Sequence, residues 1–205
     1  MDDPFHLRRH EITDPAVLTA FQEVDRVLFI DASLGKFAML DDPLPIGEGQ
    51  TISQPSLVAH MTQLLHILPY HHILEIGTGS GFQAAILAKI ARQVTTIEVI
   101  PSLYEQSKKR LADLGYHNVS VFLGDGHSGY PLYAPFDGII VTAASPSVPD
   151  ALTEQLKTGG RLIIPVGSQN QAQRLTIITR DEGGNLTQQN DIFVRFVPFI
   201  KSKKF

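Results

Sequence analysis

The stretch His72-Ile73-Leu74-Glu75-Ile76-Gly77-Thr78-Gly79-Ser80-Gly81-Phe82-Gln83 constrains this chain more than any other. Ile73, Leu74 and Ile76 form a short apolar run of strand type, and Ala84-Ala85-Ile86-Leu87-Ala88 continues with strong helix formers. Glycines stand between them at alternate positions. With no Cβ in the way, a glycine backbone turns sharply and brings its amides close to a ligand. A buried strand, a glycine turn and a helix, in that order, predict a nucleotide-like ligand.

Spacing narrows the ligand. A dinucleotide fingerprint G-x-G-x-x-G opening at Gly77 needs a glycine at position 82, where the chain has Phe82. Glu75 instead precedes the first glycine by two, in the pattern E-x-G-x-G-x-G. A carboxylate there repels a pyrophosphate and suits a ligand with a cationic amino group. The pattern resembles the first motif of S-adenosylmethionine-dependent methyltransferases with a Rossmann-like sheet. That resemblance implies cofactor contacts at Glu75, Gly77, Thr78, Gly79, Ser80 and Gly81. The competing reading is a generic strand-to-helix turn whose glycines serve packing.

A chain of 205 residues supports one substantial domain, and 43% hydrophobic with 19% charged residues is ordinary soluble composition. The net charge of -4 gives no electrostatic footprint for nucleic acid. Cysteine is absent, which removes disulfides, zinc-thiolate sites and thiol nucleophiles and favours an intracellular location. Residues 1–10 have no apolar signal core, and no run approaches the ~20 apolar residues of a membrane span. A cytoplasmic protein with no membrane partner is expected, by default a monomer.

Residues 15–29 carry apolar residues at helical spacing behind an Asp14 cap and Pro15, which predicts one helix within a helical cover over residues 1–70. His6 and His10 lie one turn apart, but terminal histidines among arginines are expected to be solvated, and no metal site is expected. Residues 41–50 are too rich in proline and glycine for regular structure. Residues 57–68 then follow helical spacing. Ser53 is the natural cap of that helix, with Pro55 in the first turn. A helix start with free amides and a hydroxyl is also a carboxylate site, and the pattern does not choose between the two roles.

A second strand over residues 94–99 ends at Glu98, where an acid in a βαβ unit reaches ribose hydroxyls. A helix over residues 102–114 closes at Gly115, with Leu103, Leu111 and Leu114 inward and Lys108, Lys109 and Arg110 solvated. A third strand over residues 119–123 runs into Gly124-Asp125-Gly126, which reads locally as a turn. Its position also suits Asp125 to an adenine amino group. Residues 138–141 form a fourth strand with Thr142 and small residues at its end, which leave room for a ligand. A short helix over residues 149–156 ends at Gly159-Gly160, and residues 161–165 make a fifth strand. Residues 175–179 and 192–196 are expected as an antiparallel pair around the turn at residues 181–185. The fold class is α/β: a Rossmann-like, doubly wound, mostly parallel open sheet with an antiparallel strand near the C-terminus. Ligands bind beyond the carboxyl ends of such strands.

Taken together, the motifs resemble the protein-L-isoaspartate O-methyltransferases. Leu44-Pro45-Ile46-Gly47 and Gly49-Gln50-Thr51-Ile52-Ser53-Gln54-Pro55 carry the most distinctive part. Residues 75–83, Gly124-Asp125-Gly126, Phe136-Asp137, Val141-Thr142-Ala143-Ala144, Gly159-Gly160-Arg161, Pro165-Val166-Gly167 and Arg195-Phe196-Val197-Pro198-Phe199 follow in the family's order. Phe82 departs from a common tyrosine, and Phe29-Ile30-Asp31 matches only loosely. The resemblance implies methyl transfer from S-adenosylmethionine to the free carboxylate of L-isoaspartyl residues in damaged proteins. The ester can close to a succinimide and reopen as aspartate. It further implies Ser53 as the active-site residue, substrate contacts at Thr51, Ile52 and Thr142, and cofactor contacts continuing at Glu98, Gly124, Asp125 and Gly126. Residues 46–55 are expected to close as a lid. The alternatives are a same-fold enzyme acting on a small molecule or nucleic acid, and a cofactor-binding sensor without turnover.

Overall fold

The computed structural model describes residues 3–201; the ends of the expected domain, residues 1–2 and 202–205, lie outside them. Nine strands and five α-helices follow in the order α1 (Pro15–Glu23), β1 (Leu44–Gly47), β2 (Gln50–Ile52), α2 (Pro55–Leu64), β3 (His72–Ile76), α3 (Phe82–Ile90), β4 (Gln93–Glu98), α4 (Pro101–Asp113), β5 (Val119–Leu123), β6 (Phe136–Val141), α5 (Asp150–Glu154), β7 (Leu156–Val166), β8 (Gln173–Arg180) and β9 (Leu186–Val194). The main sheet has the order β5-β4-β3-β6-β7-β8-β9. Strands β3 to β7 are parallel, while β8 is antiparallel to β7 and β9 to β8. No described helix is long and apolar enough to cross a membrane.

The period-2 geometry of β3 sends Ile73 to one face, into a core with Phe82, Ile86 and Val58, and Leu74 and Ile76 to the other, with Phe136, Ile139 and Leu152. Burial on both faces explains the short apolar runs of β3 and β6. Phe82, at the first position of α3, packs edge-on against Phe21 and Phe29, at 5.9 and 5.6 Å between ring centroids. The residue that ends the glycine turn therefore anchors the N-terminal segment.

Several elements depart from the sequence reading. The helix expected over residues 15–29 breaks at Val24, which is extended (φ -103, ψ 106). Asp14 caps α1 as anticipated, but Asp25 accepts from the Val27 amide and starts a separate 3-10 turn at Arg26–Phe29. Residues 41–50 are not irregular: β1 and β2 pair as a hairpin around Gly47, Glu48 and Gly49, all at positive φ. Its tip is tied to the start of α4 by Ser102 Oγ donating to Glu48 Oε1 at 2.7 Å.

Ser53 does not cap α2. The helix starts one residue later, and the Ser56 amide and hydroxyl both donate to Asp41, at 2.7 Å each. Leu114 is exposed rather than inward, and Arg110 is not solvated but donates to the Ser80 carbonyl at 2.8 Å. Gly159-Gly160 do not end a helix; they form a bulge inside β7, opposite Asp137. The last strand spans Leu186–Val194, not residues 192–196.

Arg26 organises the segment that leads to Ser53. Its side chain is buried, and the guanidinium donates to the carbonyls of Ala38, Leu40, Asp42 and Ser53 at 2.7–3.2 Å. Burial lowers its pKa to about 10, against the attraction of Asp41 and Asp42, so it stays charged at neutral pH. Arg26→Met strands several carbonyls. A loss of about 2–4 kcal/mol in urea unfolding is expected, with new protease cleavage within residues 38–53. An unchanged midpoint would show that the loop holds itself.

Candidate active site

Strands β3 and β6 are neighbours, and from β3 the chain winds to β4 and β5 on one side while β6 leads to β7 on the other. Ligands bind at such a switch point, beyond the carboxyl ends of the strands. Two cavities meet there. A crevice of about 560 Å³ is bounded by Ile76, Ile97, Glu98, Leu103, Gly126 and Phe199, among others. A second cavity, of about 430 Å³, is bounded by Ile52, Ser53, Met61, Gln83 and Phe196, among others. Thr51, Gly77, Gly79 and Thr142 line both.

The turn that separates β3 from α3 is held by its own backbone. Gly77, Gly79 and Gly81 have φ of +96, +52 and +89, a region costly for other residues. The Gly77 amide donates to the Ile97 carbonyl at 2.8 Å, and the Gly79 amide to Glu98 Oε2 at 2.8 Å. From β6, Thr142 Oγ1 donates to the Gly77 carbonyl at 2.7 Å. A Cβ on Gly77 would lie 2.4 Å from that oxygen.

Glu98 is buried at the tip of β4. Its Oε1 accepts from the Val99 and Ile100 amides at 2.9 and 3.0 Å, and Oε2 takes the Gly79 amide, so backbone donors fix the carboxylate at the crevice wall. Gly126 lines the crevice, but Gly124 and Asp125 do not. Asp125 Oδ1 accepts from the His127 amide and faces His127 Nδ1 at 2.9 Å; the imidazole stacks on Phe199 at 3.8 Å. Thr78 and Ser80 line the second cavity, and Gly81 lines neither.

Glu75 is not presented to either cavity. It is fully buried, accepts from Thr96 Oγ1 at 2.5 Å, and its Oε1 has no partner among the described residues. Thr96 Oγ1 in turn lies 2.7 Å from Thr78 Oγ1, which links the carboxyl to the turn. Desolvation, with a smaller contribution from Glu98, raises its pKa from 4.5 to about 8. At neutral pH it is a neutral carboxylic acid, so the sequence expectation of a carboxylate facing a cationic amino group is not met in this structure.

Ile52, at the end of β2, and Ser53 line the second cavity. The Ser53 carbonyl is held by Arg26, and no hydrogen bond engages its hydroxyl among the described residues. The C-terminal segment was missed as part of the site. Val197, Pro198, Phe199 and Ile200 wall the crevice because Ala144 pairs with Pro198 beside β6: the Ala144 amide donates to the Val197 carbonyl and the Phe199 amide to the Ala144 carbonyl, both at 2.8 Å. The motif Arg195-Phe196-Val197-Pro198-Phe199 was the available signal. Among the described residues no cluster of side chains could hold a metal ion.

A family model described as protein-L-isoaspartate(D-aspartate) O-methyltransferase matches residues 5–204. The chain belongs to this family. A protein-L-isoaspartate O-methyltransferase of Gloeobacter violaceus is 46% identical over 197 residues, 96% of each chain. One of Methanoregula boonei is 52% identical over 189 residues, 92% of this chain and 86% of the relative. A solved protein-L-isoaspartate O-methyltransferase superposes with a TM-score of 0.84 at 28% identity, over 95% of this chain and 63% of that longer one. A Plasmodium falciparum structure described as a putative family member in complex with S-adenosyl-L-homocysteine shares the fold, with a TM-score of 0.82 at 24% identity over 98% of this chain and all of that one.

Two outcomes test the geometry of this family member. Gly77→Ala should lower stability by roughly 2 kcal/mol or more and weaken adenosylhomocysteine binding, and Thr142→Ala in that background should recover part of the loss. No recovery in calorimetry would refute the steric account. Because the raised pKa of Glu75 means the folded state holds a proton more tightly, its stabilising contribution is full below pH 4.5 and lost as pH rises to about 8. Glu75→Gln should therefore gain on the parent by up to about 1.4 kcal/mol per pH unit across that window. A constant difference from pH 5 to 8 would contradict the assignment.

Proposed function

We propose that the crevice takes S-adenosylmethionine and the adjoining cavity takes the free carboxylate of an L-isoaspartyl residue, which the chain methylates. The junction carries the reading: Thr51, Gly77, Gly79 and Thr142 line both spaces, so the two adjoin at these residues and groups placed in each can come into contact there. The crevice suits an adenosine. Ile97, Leu103 and Phe199 offer apolar surface to a flat base, and Glu98 keeps acceptor capacity for hydroxyls. Gly126 lines the crevice, and Asp125 and His127 fix its turn.

When bound, S-adenosylmethionine supplies a methyl group on a sulfonium, the electrophile of an in-line displacement. An isoaspartyl carboxylate, with a pKa of about 4 by analogy with aspartate, is ionised at neutral pH, so no general base is required. The residues position the acceptor. Ser53 donates a hydrogen bond to one carboxylate oxygen and leaves the other free to face the methyl group, while Thr51 and Ile52 present β2 backbone to the polypeptide. Joining a cation to an anion disperses charge, and the apolar surroundings of Val58, Met61 and Phe196 favour that by excluding water. The net charge of -4 and the lack of cysteine support a protein rather than a nucleic acid as acceptor, and a cytoplasmic place of action.

Tritium transfer from labelled S-adenosylmethionine to an isoaspartyl peptide, beside its aspartyl twin, tests the reading. Label is expected on the first alone. Ser53→Ala should lower kcat by roughly 100-fold and leave adenosylhomocysteine affinity within about twofold. Label on both peptides or neither refutes the function, and an unchanged kcat removes Ser53 from it.

A further inference from the structure

A wide groove, of about 1420 Å³, opens beyond the acceptor cavity. Its walls are continuations of the site. On one side, Thr51, Ile52 and Ser53 line the acceptor cavity, and Gln54, Ser56 and His60 then line the groove. On the other side, Val197 to Ile200 wall the donor crevice, Phe196 the acceptor cavity, and residues 192–195 the groove. Two segments far apart in sequence thus pass the three spaces in the same order. The groove adjoins the acceptor cavity at Ser53–Gln54 and Arg195–Phe196, on a path open to a polypeptide leaving that cavity, and a small-molecule acceptor would leave it empty.

Its chemistry suits an extended chain. β9 is the last strand of the sheet, so its outer edge is unpaired by any described strand and can accept main-chain hydrogen bonds. Phe193 is 62% exposed, with the Arg174 guanidinium 3.6 Å from its ring centroid. Arg9 and Arg195 line the groove as exposed side chains, and neither has an ion-pair partner among the described residues. Glu11 is the one carboxylate among the lining residues. At the rim, Asp191 faces His60 Nε2 at 2.5 Å and Asp41 faces His10 Nε2 at 3.6 Å. Two lining arginines against one lining carboxylate leave the groove wall with an excess of positive charge.

We propose that this groove holds the residues flanking the isoaspartyl site, and that Arg9 and Arg195 make the enzyme favour acidic flanks. The inference rests on the function proposed above. The charges lie outside the reacting carboxylate's cavity, so they act on capture of the polypeptide rather than on the transfer step, and the preference belongs in KM.

The test is steady-state methylation of isoaspartyl peptides that carry either glutamate or lysine at the second and third positions on both sides. The parent chain should show kcat/KM about threefold or more higher for the glutamate set, the scale of exposed ion pairs, and the ratio should shrink at about 0.5 M salt. Arg9→Gln with Arg195→Gln should bring the ratio towards one through KM. Arg195→Glu, a change at an exposed and unpaired position, should invert it. Transfer to both sets with equal kcat/KM, or a ratio that survives the double substitution, overturns the groove assignment alone. No transfer to any isoaspartyl peptide overturns the proposed function and this inference with it.

Discussion

The working half of the molecule depends on a close approach between Gly77 at the end of β3 and Thr142 after β6. The Thr142 hydroxyl donates to the Gly77 carbonyl at 2.7 Å and lies 2.4 Å from where a Cβ on residue 77 would be. These strands are adjacent, yet the chain departs from them towards opposite wings of the sheet. The crevice at their ends is a consequence of topology. The glycine decides that its floor is backbone and hydroxyl rather than side chain, and the same two residues line both cavities.

On that floor the walls are brought from distant parts of the chain, each by a buried polar anchor. Arg26 gathers four carbonyls between Ala38 and Ser53 and so fixes the approach of β2. Asp41 supplies the cap that α2 lacks locally. Glu98 ties the tip of β4 to Gly79 through a backbone amide. The pairing of Ala144 with residues 197–199 lays the C-terminal segment over the crevice. Buried polar groups stabilise little on average but are costly to leave unpaired, so each such contact specifies one arrangement of its loop.

The parallel half of the sheet was legible in the sequence because burial on both faces writes short apolar runs, as within His72–Ile76 and Phe136–Val141, and tips them with glycine or acid. Glu98, Gly126, Ser53 and Thr142, singled out for that reason or through the family resemblance, line the two cavities. What failed depends on contacts across long sequence distance. Capping by Asp41 is invisible to a local reading that sees Ser53 before Pro55. β9 was displaced because an exposed edge strand with Thr187-Gln188-Gln189-Asn190 carries no apolar alternation. Nothing in the spacing around Glu75 shows that its carboxyl is sealed beneath the turn, and the broken helix at Val24 reflects competition from the Asp25 side chain.

The account stands on two ligands meeting at one junction. A crystal structure with adenosylhomocysteine and an isoaspartyl peptide bound together measures this directly. It should place the sulfur in the crevice against Gly77 and Thr142, with one isoaspartyl carboxylate oxygen in line with the donor side of that sulfur and the other within hydrogen-bonding reach of the Ser53 hydroxyl. A carboxylate bound away from Ser53, or a sulfur with Thr142 and Gly77 out of contact, would contradict it.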